Sequence, residues 1–184
     1  RRSSDLSNPN SLVLAAKGGR NDEPHNHNDV GNFIVHLRGE SLIAELGAPV
    51  YDRDFFHGKR YSYLAARSFG HSVPRIGSIE QRAGAFSAKN VKAEHTPQKD
   101  TLQSDIADAY PEEANLQSLI RQVSLVRGGQ GKIELIDTAS FRVVPQSYES
   151  ALITFGNVDL PQPGIVRIQG ENAGLQIEYD SQCW

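Results

Sequence analysis

All six histidines of the chain (His25, His27, His36, His57, His71 and His95) fall within its first 95 residues. Two share the segment Glu23-Pro24-His25-Asn26-His27-Asn28-Asp29. On a strand, residues i and i+2 point to the same face, so this spacing predicts that His25 and His27 present both imidazoles to one site. Asp29 continues the alternation and is expected to hold the second nitrogen of a ligand histidine. A divalent metal such as zinc takes about three protein ligands when one position stays open. Two further candidates follow from their surroundings. Glu45 is the one acid in Leu42-Ile43-Ala44-Glu45-Leu46, where a buried carboxylate needs a cation or donors. His71 starts an apolar run and has Gly70 beside it for close backbone approach. His36 and His57 lack a patterned partner, and His95, in an acidic neighbourhood near Pro97, reads as a surface residue. Spacing alone leaves a second reading open, because His-x-His arises by chance and a strand-end glutamate can be solvated. A cupin is disfavoured: the positions four and five after His27 are Gly31 and Asn32, where that family has a glutamate, and no histidine follows His95.

The elements that must position these residues read as strands. Short alternating apolar segments are separated by Gly, Pro, Asn and Asp. Strands are predicted at 11–16, 30–37, 41–45, 72–76, 91–95, 119–126, 132–137, 150–155, 165–169 and 175–179. Hairpin turns are expected at Arg38-Gly39-Glu40, Arg127 to Gly131 and Gly170 to Gly174. One stretch, Pro111 to Ser118, has proline and acids where a helix begins and predicts a short helix running into a strand. About ten strands with at most one or two short helices predict an all-β fold, an antiparallel β-sandwich.

The chain has 184 residues, enough for one domain, read here as residues 1–184, that buries about 70% of the surface its unfolded form exposes. It starts Arg1-Arg2 and contains no methionine, and so reads as a piece of a larger protein. The longest apolar run, Leu12 to Ala16, falls far short of the roughly 20 residues of a membrane helix, so no membrane span is expected. A lone Cys183 excludes an intramolecular disulfide and a cysteine-rich zinc site. The net charge of −3 offers no global attraction for nucleic acid. Charge is uneven, however: from Leu46 to Arg82 six bases face three acids, while from Glu94 to Ser118 six acids face Lys99 alone.

Three segments together resemble a known family. They are Lys17-Gly18-Gly19-Arg20-Asn21-Asp22-Glu23-Pro24-His25-Asn26-His27-Asn28-Asp29-Val30-Gly31-Asn32-Phe33, then Gly39 to Gly47, then Ala65 to Pro74. In this order they resemble the C-terminal β-domain of heparinase II/III-like polysaccharide lyases. The resemblance implies a β-sandwich of the super-sandwich type, joined to an upstream helical toroid domain of the same chain, with an acidic polysaccharide bound between the two. It implies that His27, Glu45 and His71 bind zinc or another divalent metal and that His25 faces the substrate. The chain has Glu45-Leu46-Gly47 where the commoner pattern has Asp followed by Pro-Gly, and Pro24 where Asn or Gly is usual.

The implied reaction is β-elimination at a uronic acid. A base removes the C5 proton, the C4–O bond breaks and an unsaturated sugar remains. Negative charge develops on the uronate carboxyl, so donors near it lower the barrier. His25 is the candidate to donate there or share acid–base work, and Tyr51, Tyr61 or Tyr63 to protonate the leaving oxygen, Tyr51 being preferred. Other catalytic groups of the family come from the helical domain, so this chain alone is expected to bind metal and be inactive. The resemblance also implies the bacterial periplasm or secretion. A second function is compatible with the same residues: a non-catalytic carbohydrate-binding or interaction sandwich whose metal is structural.

Overall fold

A computed structural model describes Asn8, residues 10–48, 51–56 and 58–182. His57, Cys183 and Trp184 lie outside the described residues. The strands are β1 (Val13–Ala16), β2 (Arg20–Asn21), β3 (Phe33–Leu37), β4 (Glu40–Ile43), β5 (Pro74–Ile76), β6 (Gly84–Ser87) and β7 (Lys89–His95), followed by β8 (Lys99–Asp105), β9 (Leu116–Val126), β10 (Lys132–Phe141), β11 (Tyr148–Ser150), β12 (Asn157–Gln162), β13 (Ile165–Gln169) and β14 (Gly174–Glu178). They pair antiparallel throughout, in the orders β1-β3-β4, β10-β9-β8-β7, β12-β13-β14, β11-β5 and β2-β6. Strand accounts for 45% of the described residues and helix for 11%, which is the antiparallel all-β sandwich expected.

Among the described residues, helical turns are more numerous than the sequence suggests but none is long. One α-helical turn, α1 (Arg53–Phe56), and 3-10 turns at Arg60–Ser62, Leu64–Ala66, Ser68–Gly70, Ala107–Ala109 and Glu112–Ala114 fold the connections. The last of these is the expected short helix before a strand. Asn115 ends it in a left-handed conformation (φ 53°), a position asparagine tolerates, and the strand starts at Leu116 rather than Leu119.

Two layers meet at the main core. Leu14, Phe33, Val35, Leu42 and Ile43 from β1-β3-β4 pack with Val123 and Leu125 of β9, and Ile168 and Ala173 from the β13-β14 hairpin close the cluster. Each of the larger side chains among these contributes about 1.5–3 kcal/mol on burial. The inward stripe of β9 is Leu119, Arg121, Val123 and Leu125, a period of two into which one charge has been set. A second cluster (Val30, Ile76, Ile106, Ala109, Tyr110, Ala114 and Leu119) supports the loops that carry the histidines.

The expected hairpins form. In the β3-β4 turn Arg38 and Gly39 both take positive φ (52° and 84°), as a tight two-residue hairpin requires. Glu40 then accepts backbone hydrogen bonds from Glu171 (2.9 Å), Asn172 (2.8 Å) and Ala173 in the β13-β14 turn, fastening the third sheet to the first. The strand predicted at 150–155 is corrected. β11 ends at Ser150, and Ile153 instead bridges two other segments, its carbonyl accepting from the Ala44 N–H (2.8 Å) and its N–H donating to Ser72 Oγ (2.9 Å). The sequence reading missed β2, β6, β8 and β12. β8 (Lys-Asp-Thr-Leu-Gln-Ser-Asp) is mostly polar, and β12 carries Pro161, which edge strands accommodate.

Candidate metal centre and the adjoining aromatic face

Three segments far apart in sequence converge at the metal candidates. His27 lies in the loop before β3, Glu45 just past β4, and His71 after the 3-10 turn Ser68–Gly70. One ligand atom from each lies within 4.8 Å of the others, so the group could hold a metal ion. The histidine rings are 5.2 Å apart at their centroids.

The loop bearing His71 is shaped by close contact. A Cβ on Gly70 would stand 2.2 Å from the Leu64 carbonyl oxygen, so only glycine fits there. The same turn region then holds both histidine loops. His71 Nε2–H donates to the Ala65 carbonyl (3.0 Å), and the Asn28 N–H donates to the Ala66 carbonyl (3.0 Å). Gln81 adds a clamp: its side chain donates to the Val30 carbonyl (2.8 Å) and accepts from the Val30 N–H (3.0 Å), while its own N–H donates to Ser68 Oγ (3.0 Å).

The donors suit a cation. With Nε2 protonated toward Ala65, the free lone pair of His71 is on Nδ1. That atom is buried and 2.7 Å from Glu45 Oε2, yet the contact lacks hydrogen-bond geometry and leaves Nδ1 without a hydrogen-bond partner. Two lone-pair donors facing each other in a buried setting are what a metal relieves. Burial, reinforced by the neighbouring His71, pushes the His27 pKa below the usual 6.5, which favours the neutral form a metal needs. Asn32 donates to Glu45 Oε1 and accepts from the Ser72 N–H (2.7 Å).

His25 sits elsewhere. The expectation that His25 and His27 share one face of a strand is corrected: residues 22–25 form a turn, and His25 is exposed with φ 58°. A left-handed residue reverses the chain and breaks the two-residue alternation. The His25 ring instead meets the edges of Tyr51 (6.1 Å) and Phe56 (5.7 Å), and Tyr51 contacts Phe55 (4.9 Å). Asp29 pairs with Lys17 rather than with a histidine.

The structure also separates the three tyrosines. Tyr63 donates to both carboxylate oxygens of Asp52 at 2.7 Å, and this bond raises its pKa to about 12, which ill suits it to give up a proton. Tyr61 reaches Asn26 Oδ1 at 3.5 Å. Tyr51, half-exposed, is the one whose ring packs beside His25. The basic excess of 46–82 is largely absorbed locally: Lys59 pairs with Asp54, Arg67 with Glu80 and Arg82 with Asp108, while Arg60 bonds Asn26 and stacks on Phe55. His36 bonds Ser41 across β3-β4 (3.1 Å), and His95 lies at the surface beside Asp100 (3.2 Å).

Sequence reasoning missed the residues that fix these loops. Arg121, almost fully buried, makes a two-pronged salt bridge to Asp137 (2.8 and 2.7 Å) and donates to the carbonyls of Gly31 (3.1 Å) and Ser72 (2.7 Å). The signal was present: a charge inside the apolar run Leu119 to Val126, the same cue that singled out Glu45. Among the described residues, no helix is long and apolar enough to cross a membrane. No protein-family model matches the chain, and no curated protein matches it.

Proposed function

We propose that this chain is the metal-binding β-sandwich of a polysaccharide lyase that cleaves uronic-acid glycans by β-elimination, acting with an upstream helical toroid domain, in the periplasm or outside a bacterial cell. The observation that carries the proposal is the convergence of His27, Glu45 and the orphaned Nδ1 of His71, with His25 and Tyr51 paired on an exposed face nearby in sequence. The three-motif resemblance supplies the reaction class.

His27, Glu45 and His71 would hold zinc, whose chemistry here is to tie three loops together. The chain's own residues do the rest. His25, exposed beside Tyr51, hydrogen-bonds the uronate carboxylate as charge builds there. The C5–H pair becomes the C4=C5 double bond, the proton passes to a base, and the C4–O pair leaves with the sugar oxygen. Tyr51 gives that oxygen its proton. The polyanion approaches from the His25 side. Glu45 also lines a groove of about 660 Å³ that carries Glu40 and Glu171 and has no Lys or Arg among its lining residues, so it repels a uronate.

The test uses the parent enzyme. His25→Ala should retain about one equivalent of zinc by elemental analysis while turnover, followed by absorbance of the unsaturated product, falls on the order of 10²–10⁴-fold. Unchanged turnover in His25→Ala, or robust turnover by this chain alone, would refute the assignment.

A further inference from the structure

We infer that Asn32 is a positioning residue of the metal centre, acting through Glu45: it occupies one carboxylate oxygen and so presents the other, as a single-oxygen ligand, to the ion. The inference rests on the metal reading above and adds a residue and a coordination mode to it.

The side chain of Asn32 is 3% exposed and uses both ends of its amide. Nδ2 donates to Glu45 Oε1, and Oδ1 accepts from the Ser72 N–H, next to His71, at 2.7 Å. One planar group therefore sets the spacing between the segments carrying two of the three ligands. Glu45 Oε2 is left facing His71 Nδ1.

The backbone of Asn32 is itself fixed. Its N–H donates to the Asp29 carbonyl (3.0 Å), its carbonyl accepts from the Lys17 N–H (2.9 Å), and Arg121 holds the neighbouring Gly31 carbonyl (3.1 Å). On the far side, Ser72 Oγ and the Ala44 N–H are joined through Ile153, so a circuit of hydrogen bonds, closed by the Ala44–Glu45 peptide bond, runs Asn32, Ser72, Ile153, Ala44, Glu45 and back. A glutamate has a longer, freer arm than an aspartate and gains most from such an anchor. With Oε1 engaged, ligation through Oε2 alone is favoured over two-oxygen ligation, and two imidazoles plus one oxygen suit a four-coordinate ion such as zinc over larger oxygen-seeking ions such as calcium.

The experiment is a double-mutant cycle read by competition with a chromophoric zinc chelator, using this chain in the wild-type, Asn32→Ala, Glu45→Ala and doubly substituted forms. Outer-shell partners are typically worth 10–100-fold in metal affinity. Asn32→Ala should weaken zinc by roughly that factor in the wild-type background and by less than about twofold once Glu45 is gone, because residues acting as a unit are not additive. An Asn32 that merely supports the fold would cost the same in both backgrounds, and that result overturns the inference. So does undiminished zinc affinity in Asn32→Ala, which leaves the metal reading intact. Absence of zinc binding by the wild type overturns both. Should Asn32→Ala fail to fold by circular dichroism, Asn32→Ser, which leaves a smaller hole and a polar atom, takes its place in the same cycle.

Discussion

The candidate metal centre and the His25 face are two residues apart in sequence and built on opposite principles. His71 is buried, and its loop is held by a glycine no other residue can replace, by the Ala65 carbonyl and by the Arg121 and Asn32 contacts on Ser72. His25 is exposed, sits in a left-handed conformation and touches its aromatic neighbours edge-on. The first region is over-determined and suits a scaffold. The second is loosely held and open, which suits the substrate-facing role proposed for His25. Stability should reside in one and chemistry in the other.

The strongest challenge to that division is Arg121→Ala. It leaves Asp137 buried without its cation and frees the carbonyls of Gly31 and Ser72, and should destabilise the chain by about 3–5 kcal/mol in urea unfolding. A loss under 1 kcal/mol would show that the loops do not depend on it.

Metal removal comes next. At free zinc 100 to 1,000 times its dissociation constant, binding stabilises by about 2.7–4.1 kcal/mol, so chelation should lower Tm by the corresponding amount and His71→Ala should abolish the difference. Acid should act in the same direction. The His27 pKa is lowered by burial, so below its ordinary 6.5 the unfolded chain takes the proton first, and stability falls as pH drops through that value. A metal-free protein whose Tm rises on acidification from pH 7 to 5 would contradict the burial of His27.

The smallest effect is expected at His25. His25→Gly relieves a left-handed residue but adds backbone freedom to the unfolded chain, and the two nearly cancel, so stability should change by less than about 1 kcal/mol with zinc content unchanged. A loss of 2 kcal/mol or more would place His25 in the scaffold and erase the contrast.

Much of the fold could be read from local pattern. The β3-β4 turn was legible because Arg38-Gly39 supplies the positive φ angles a tight hairpin needs, and β9 and β10 because apolar residues flank a glycine-rich turn. Segment 150–155 was misread because its apolar residues, among them Leu152 packed on the main core, imitate a strand that has no partner. The candidate ligands Glu45 and His71 stood out as a charge and an imidazole in apolar surroundings. Asn32, Gln81 and Ser72 did not, since an amide or hydroxyl carries no local mark of the partner it will meet 40 or 50 residues away.

The sequence by itself determined the all-β character, the hairpins and the short set of residues able to ligate a metal, because each follows from residue type and near-neighbour spacing. The resemblance had grouped His27, Glu45 and His71, but the tertiary structure alone decided the geometry in which they meet and that His25 turns away toward Tyr51. That decision rests on one left-handed residue and on hydrogen bonds closed between distant loops, and neither leaves a periodic trace in the chain.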